Sequence, residues 1–262
     1  MQLNKMNLSH HRIDHVFISH LHGDHYLGLM GLLFTMHLNG RVSPLHVYGF
    51  RGLAEIITGH LCHSRSDLNY KINFHELSDG INVIFDDDAL SVETIPLRHK
   101  IKCCGFLFRE KPKPRRIDKE KLLKGMLLQH IAALKTGTDV HDEQGNVLYR
   151  NEDFTLEPRK SFSYAYCSDT AFHPPIAEQL KDVDLLYHEA TFMEAEKTKA
   201  ADTWHSTAVD AARLAKLANA GKLVIGHFSA RYRELDGLLA EARAVFADTE
   251  LAVESYTFEL QP

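Results

Sequence analysis

The segment FISHLHGDHYLGL, residues 17–29, crowds together four side chains that bind metal ions well. They are three histidines and one aspartate: His20, His22, Asp24 and His25. Neutral imidazole and carboxylate suit zinc and similar divalent ions, whereas imidazoles crowded together without a metal would repel one another once protonated. The segment therefore indicates a metal site, and the alternative is an exposed histidine-rich loop.

A short apolar segment precedes these residues. Residues 14–19, DHVFIS, combine β-branched and aromatic side chains and predict a buried strand. In an extended chain His20 and His22 point to the same side, because side chains alternate with a period of two. Asp24 and His25 can then turn towards a second point. The spacing is compatible with two neighbouring metal centres.

Three further apolar segments also run into residue types that bind metals. They are 90–97 with His99, 161–168 with Asp169, and 223–226 with His227. In layered α/β proteins, functional side chains gather where loops leave the rigid sheet. Each of the three alone is compatible with an ordinary loop or core residue. Four strand ends of the same kind favour one shared metal site.

Longer motifs follow one another in a fixed order along the chain. They are HLHGDH, PLRHKIKCCGF, YCSDT, LLYHEATF, TWHSTAVDAA and LVIGHFSARY. In this order they resemble the tRNase Z (ribonuclease Z) branch of the metallo-β-lactamase superfamily, from residue 13 almost to the end of the chain. HLHGDH alone indicates only the superfamily, whereas HEATF, HST and HFSARY are more specific for a tRNA 3′-processing endonuclease. The resemblance implies an α/β fold, the metallo-β-lactamase αββα sandwich.

The resemblance also implies a site with two Zn²⁺ ions that hydrolyses a phosphodiester. The implied ligands are His20, His22 and His99 for one zinc, Asp24, His25 and His227 for the other, and Asp169 as a bridge. Asp24 would also accept the proton of the attacking water. Glu189 and His205 would form a relay that protonates the 3′ oxygen of the tRNA, although each alone could be a surface carboxylate or a helix-start residue. His188 is expected to be structural.

Composition predicts one soluble, cytoplasmic domain. A chain of 262 residues with 44% hydrophobic content can bury a full core. It contains no apolar run long enough to cross a bilayer and no signal-peptide pattern. The cysteines fit neither a disulfide framework nor paired zinc-finger spacing, so we expect reduced thiols at Cys62, Cys103, Cys104 and Cys167. The HLCH segment at 60–63 is interpreted as a helix end rather than a second metal site.

The net charge of −5 speaks against nucleic-acid binding by bulk electrostatics, so local basic patches must contact phosphates. The clearest patch is 109–116, REKPKPRR, and further candidates are Arg231 and Arg233; a solvated loop is the alternative for the patch. It opens segment 109–153, which interrupts the strand pattern. In the family an inserted arm grips precursor tRNA, and this segment is the candidate, although it lacks the Gly-Pro element of many relatives. A surface excursion is the alternative, and the resemblance further implies a homodimer.

Helices are predicted at about 28–38, 51–60, 118–134, 174–181, 206–220 and 234–247, with strands between them, which indicates a layered α/β fold. The helix after His205 is the best supported, because Ser206 or Thr207 can cap it and Gly221 ends it.

Relatives place two or more strands before the helix that leads to the histidines, whereas residues 1–6 already predict that helix. We therefore expect the amino-terminal strands to be missing, and an edge and apolar faces to be exposed.

Three functions are compatible with the sequence. The first is a tRNA 3′-endonuclease with two zinc ions, which HEATF and HST favour. The second is a related hydrolase acting on small phosphodiesters or sulfate esters. The third is a metal-binding or RNA-binding relic without turnover, which an activity assay would distinguish from the other two.

Overall fold

The computed structural model describes residues 2–260, and its core is two β-sheets packed face to face with helices outside them. The strands are β1 (His15–Phe17), β2 (Leu45–Gly49), β3 (Ile72–Glu76), β4 (Val83–Asp86), β5 (Leu90–Pro96), β6 (Cys104–Glu110), β7 (Arg116–Ile117), β8 (Val140–His141), β9 (Val147–Tyr149), β10 (Thr155–Leu156), β11 (Ser163–Cys167), β12 (Leu185–Glu189), β13 (Lys222–Gly226) and β14 (Thr249–Leu251). The α-helices are α1 (Gln2–Lys5), α2 (Gly23–Leu38), α3 (Leu53–His63), α4 (Leu128–Lys135), α5 (Asn151–Phe154), α6 (Lys197–Thr203), α7 (Ala208–Leu217) and α8 (Asp236–Arg243).

The direction of the strands explains where functional side chains can gather. One sheet contains β1, β2 and β3, all parallel, and the other has the order β14-β13-β12-β11-β6-β5-β4. Strands β11 to β14 are parallel, and β6 is antiparallel to both β11 and β5. Strand β5 therefore runs in the same direction as β11. The carboxyl ends of β5, β11, β12 and β13 consequently lie at one edge of the larger sheet.

Three separate apolar layers confirm the αββα sandwich. Helices α2 and α3 pack on the smaller sheet through residues such as Leu33, Ile57 and Val47. Aromatic and aliphatic side chains, among them Tyr48 and Phe106, fill the space between the two sheets. The third layer joins α7 and α8 to the outer face of the larger sheet. Each fully buried large apolar side chain contributes about 1.5–3 kcal/mol to stability.

Helix α7 begins where the sequence predicted a cap. The side chain of Thr207 accepts a hydrogen bond from the backbone N–H of Asp210 at 3.1 Å, and the Asp210 carboxylate accepts one from the Thr207 N–H at 3.3 Å. This reciprocal capping box satisfies two backbone donors and contributes about 0.5–2 kcal/mol. It fixes the chain directly after His205.

Two helix predictions were wrong in extent. Of 118–134 only Leu128–Lys135 is helical, because the Asp118 side chain accepts from the Glu120 N–H and Gly125, at φ 91°, turns the chain. Of 174–181 only a 3₁₀ turn forms over Pro174–Ala177, since consecutive prolines lack the N–H groups of an α-helix.

The structure also bears on the predictions for three further helices. Helix α2 starts at Gly23, five residues earlier than predicted, so Asp24 and His25 lie in its first turn. The short helix α6, KTKAADT, was missed because it has no apolar periodicity. Helix α3 ends at His63, as the interpretation of HLCH required.

Residues 111–162, between β6 and β11, form an excursion from the larger sheet. Within it β7 pairs with β10 and β8 pairs with β9, with α4 and α5 between them.

The four cysteines are free thiols, as expected, and Cys62 alone among them is exposed. Within residues 2–260, β1 pairs with β2 only, and no helix has the length and apolarity to cross a membrane.

Candidate metal centre

The side chains expected to bind metal come from different elements and meet at the edge of the larger sheet. Their ligand atoms form three overlapping sets within 4.8 Å of one another: His20, His22, His99 and Asp169; Asp24, His25 and His227; Asp169, His205 and His227. His20 and His22 follow β1, whereas Asp24 and His25 lie in the first turn of α2. The structure thus brings together all seven residues that the resemblance implies as ligands, here called the metal centre.

Asp169 faces the two halves of the metal centre with different oxygen atoms. Its Oδ2 lies 3.7 Å from His20 Nε2 and 3.8 Å from His99 Nε2. Its Oδ1 lies 3.4 Å from His25 Nε2 and 3.3 Å from His227 Nε2. A carboxylate in this position can bridge two cations.

The remaining ligand types complete each half. In the first, His22 Nδ1 lies 3.2 Å from both His20 Nε2 and His99 Nε2. In the second, Asp24 Oδ2 lies 3.4 Å from His25 Nε2, and its side chain is 72% exposed. The first half is therefore enclosed, whereas the second is open towards solvent at Asp24.

Hydrogen bonds outside the metal centre set the tautomers of two histidines. His99 Nδ1 lies 3.0 Å from the carbonyl oxygen of Trp204, and a carbonyl can only accept, so His99 donates from Nδ1. A neutral His99 then presents the lone pair of Nε2 to the metal centre. His227 Nδ1 lies 2.9 Å from Thr191 Oγ1 and can donate to it in the same way. Such outer partners orient metal-binding imidazoles.

Burial and neighbouring charges favour neutral His20 and His99 and an ionised Asp169. At His25, by contrast, burial is outweighed by the hydrogen bond and charge of Asp169, which raise its pKa. Burial, assisted by the nearby His25, lowers the pKa of His20 to about 3. Burial is also the main cause that lowers the pKa of His99. Burial alone would raise the pKa of Asp169, but the hydrogen bond from His25 and the adjacent His227 outweigh it and hold the pKa well below its usual range. Neutral imidazole and ionised carboxylate are the forms that bind metal.

A buried carboxylate and a histidine lie beside the metal centre. Glu189, the last residue of β12, is fully buried, so it is not a surface carboxylate. Its Oε1 accepts hydrogen bonds from Thr170 N and His205 Nδ1, both at 2.8 Å. Its Oε2 accepts from Thr191 N at 3.1 Å and Thr191 Oγ1 at 2.6 Å. Each carboxylate oxygen of Glu189 therefore accepts two hydrogen bonds.

The Glu189 carboxylate favours the protonated form of His205. Burial would lower the pKa of His205, but the hydrogen bond and charge of Glu189 outweigh it and raise the pKa above its ordinary value. Its ring lies 5.1 Å from that of His99 and 5.4 Å from that of His227, measured between centroids. His188, by contrast, is buried and donates from Nδ1 to the Glu189 carbonyl oxygen at 2.6 Å, a structural contact.

Sequence reasoning missed Thr191, which connects the metal centre to this pair. Its hydroxyl lies between His227 Nδ1 and Glu189 Oε2, so it can accept from the imidazole and donate to the carboxylate. The available signal was a hydroxyl residue two positions after Glu189, within HEATF. Trp204, whose carbonyl orients His99, gave no such signal, because a backbone acceptor can belong to any residue type.

Comparisons with known proteins identify the family. The Beta-lactamase superfamily domain family matches residues 2–117. Ribonuclease Z of Bacteroides fragilis (strain YCH46) is 46% identical over 265 residues, covering 99% of this chain and 86% of the relative. Ribonuclease Z of Cytophaga hutchinsonii is 48% identical over 237 residues, covering 90% of this chain and 76% of the relative. The crystal structure of human tRNase Z, short form, matches with a TM-score of 0.70 and 26% identity, covering 99% of this chain and 84% of that one. At this level of identity over most of its length, the chain belongs to the ribonuclease Z family of the metallo-β-lactamase superfamily.

Proposed function

We propose that this chain is a zinc-dependent endoribonuclease that removes the 3′ trailer from precursor tRNA by two-metal hydrolysis of a phosphodiester. That it is a metal-dependent hydrolase acting on RNA follows from its family. The observation that carries the two-metal proposal is the position of Asp169, whose two oxygens face different sets of histidines.

The donor set fits zinc. His20 and His99 are each within 3.2 Å of His22 Nδ1, a distance at which neutral ring nitrogens share either a proton or a cation. The low pKa of His20 keeps its ring neutral, and its Nδ1 can donate to Ser19 Oγ at 3.0 Å, as the Nδ1 of His99 donates to the Trp204 carbonyl. In these tautomers both Nε2 atoms lack a proton. A bound cation therefore satisfies them best, and nitrogen and oxygen ligands suit Zn²⁺. We assign His20, His22, His99 and Asp169 to one ion and Asp24, His25, His227 and Asp169 to the other.

The chain's own residues would divide the chemistry between two sides of the phosphate. When bound, two zinc ions lower the pKa of a water from 15.7 towards about 7 and offset the charge on the phosphoryl oxygens. Asp24 is on the exposed side, where its carboxylate would accept the proton of the attacking water. His205 would give a proton to the 3′ oxygen that leaves while Glu189 holds its other ring nitrogen. Such general acid catalysis contributes roughly 10²–10⁴-fold.

We propose that the segment predicted at 109–153, most of which lies in the excursion at 111–162, contacts the tRNA. A cavity of about 500 Å³ on it is lined by six cationic side chains: Lys113, Arg115, Arg116, Lys119, Lys135 and Arg159. Lys113 pairs with Glu110 and Arg115 with Glu157. The other four have no carboxylate partner among the described residues, so they are available to bind phosphates. Because the net charge of the chain is −5, phosphate binding depends on such local basic patches.

Two other expectations follow with the proposed function. Arg231 pairs with Glu196 and lies over Phe192, so Arg233 is the better of these two candidates for an RNA contact. The homodimer implied by the family stays a prediction, which light scattering coupled to size-exclusion chromatography would test.

The decisive experiment is incubation of the zinc-loaded chain with a 3′-extended precursor tRNA, followed by mapping of the cut. We expect one cut at the 3′ end of the acceptor stem, a 3′-hydroxyl on the tRNA product, and loss of cleavage when a chelator removes the metal. Hydrolysis of bis(p-nitrophenyl) phosphate without cleavage of the precursor would favour the small-phosphodiester hydrolase instead. Turnover of neither substrate would favour the inactive relic.

A further inference from the structure

A recess of about 430 Å³ lies beside the metal centre, and apart from His99 its lining residues have no part in the proposed chemistry. Its walls include His99, Trp204 and the loop that follows β5. This loop supplies three cations, of which Lys102 pairs with Asp79 at 2.7 Å. Arg98 and Lys100 have no carboxylate partner among residues 2–260, and both side chains are exposed. The recess is therefore positively charged and reaches the metal centre through His99.

Trp204 is the single tryptophan of the sequence, and it is 39% exposed rather than buried in a core. Its backbone, at φ 61° and ψ 44°, is in the left-handed region, which residues other than glycine rarely adopt. Its N–H bonds back to the end of α6, and its carbonyl accepts from His99. The backbone of Trp204 is thus fixed on both sides, although more than a third of the residue stays exposed to solvent.

The indole ring has the surroundings that a nucleotide requires. The Arg98 guanidinium carbon lies 5.9 Å from the ring centroid, within the range of a cation–π contact. Proteins bind unpaired nucleotides by stacking bases on exposed aromatic rings and by placing cations on the adjoining phosphates. Trp204 with Arg98 and Lys100 offers both types of contact within one recess.

We propose that Trp204 stacks on the base of the nucleotide whose 3′ oxygen leaves during cleavage, with Arg98 and Lys100 on neighbouring phosphates; this rests on the proposed function. Trp204 directly precedes His205, the residue that would protonate that oxygen. The ring of His205 is 5.1 Å from that of His99, whose Nδ1 bonds to Trp204 itself. The base attached to the leaving oxygen is consequently the one nearest to the recess.

Intrinsic fluorescence tests this directly, because all tryptophan emission of the chain comes from Trp204. The probe is the cleavage product, a tRNA that ends at the nucleotide before the cut and therefore does not turn over. We expect it to quench the emission, and the same tRNA with an abasic terminal residue to bind without quenching. Equal quenching by the two tRNAs, or binding of the first without any quenching, would overturn the proposal.

Variants separate stacking from a structural role of Trp204. Trp204→Leu removes the aromatic ring, and it should raise KM for the precursor roughly 5- to 100-fold, because stacking of one base has this effect on affinity. Trp204→Phe retains a ring and should restore KM to within about threefold of wild type, with unchanged metal content in both variants. Tyr256→Leu is the matched control, because it removes an exposed aromatic ring that does not line the recess, and it should leave KM unchanged.

The kinetic outcomes that contradict the proposal are also distinct. A Leu variant with wild-type KM, or a Phe variant as impaired as the Leu variant, would show that Trp204 does not stack on the substrate. Failure of the wild-type chain to cleave the precursor would instead contradict the proposed function. The fluorescence measurement needs no turnover, so it distinguishes these two failures.

Discussion

This protein contains two clusters of closely spaced histidines, and only one of them is arranged to hold metal. The first is the metal centre. The second, here called the strand cluster, consists of His15 on β1, His46 on β2 and His75 on β3. His46 Nδ1 lies 2.8 Å from His75 Nε2, and His15 Nδ1 lies 3.2 Å from the Tyr48 hydroxyl. Both groups contain closely spaced imidazoles, so close spacing of histidines does not distinguish them.

Geometry and charge do distinguish them. The rings of the strand cluster stack, with interplanar angles of 21° for His15 and His46 and 19° for His46 and His75, because parallel strands place them side by side. In the metal centre, His22 meets the rings of His20 and His99 at 82° and 83°. Within residues 2–260, sets of three or more ligand atoms within 4.8 Å occur only there. Convergence of rings from separate loops around one carboxylate, Asp169, makes the difference.

The largest expected effect comes from removing that carboxylate. Asp169→Ala should weaken zinc binding by at least about 100-fold and abolish measurable cleavage of precursor tRNA, because both halves of the metal centre lose a ligand. His46→Gln is the matched substitution in the strand cluster and should change neither. Zinc titration and cleavage assays on both variants measure this. Equal losses in the two variants would remove the distinction between the clusters.

The next largest effect concerns the proton relay. Glu189→Gln and His205→Ala should each lower kcat roughly 10²–10⁴-fold, the usual contribution of general acid catalysis. Zinc content should stay at the wild-type level, because neither residue is assigned as a ligand. This is a real test for His205, whose ring nitrogen lies within 4.8 Å of Asp169 and His227 ligand atoms. Loss of zinc on His205→Ala would make it a ligand instead of an acid.

A smaller effect is expected at Thr191, which joins the metal centre to the relay. Thr191→Val keeps the shape but removes the hydroxyl between His227 and Glu189, and it should lower kcat/KM by about 10- to 100-fold, as loss of an outer hydrogen-bond partner does. Thr191→Ser keeps the hydroxyl and should retain most activity. If Ser and Val variants are equally impaired, the methyl group and its packing are what matter.

The smallest effect is on stability and belongs to the strand cluster. Burial is the main cause that lowers the pKa values of His15 and His75 below 6.5. The unfolded chain therefore binds protons first as pH falls, so this contribution to stability is complete above pH 6.5 and is lost below it, as pH approaches the folded-state pKa values. Urea midpoints at pH 7.5 and 5.5 should differ less for a His15→Gln, His75→Gln variant than for wild type. An unchanged difference would mean that these two histidines titrate alike in both states.

Part of the metal centre could be predicted from the sequence because its ligands follow strands. Apolar runs that end in His99, Asp169 and His227 are visible in the chain, and parallel strands bring their ends together. The early start of α2 at Gly23 was not visible, because His22, one of the expected ligands, occupies the N-cap position where a capping residue would have marked the start. The strand cluster was also missed, since its histidines meet only through the register of β1, β2 and β3.

The most direct test of the account is the metal content of the dialysed chain and of a variant in which His15, His46 and His75 are all replaced by Gln. Elemental analysis should give about two zinc ions per chain for both proteins, because a bridged His/Asp centre binds two and the strand cluster binds none. Well under one zinc in the wild-type chain would contradict the two-metal centre. Two zinc ions in the wild type and fewer in the variant would contradict the distinction between the two groups of histidines.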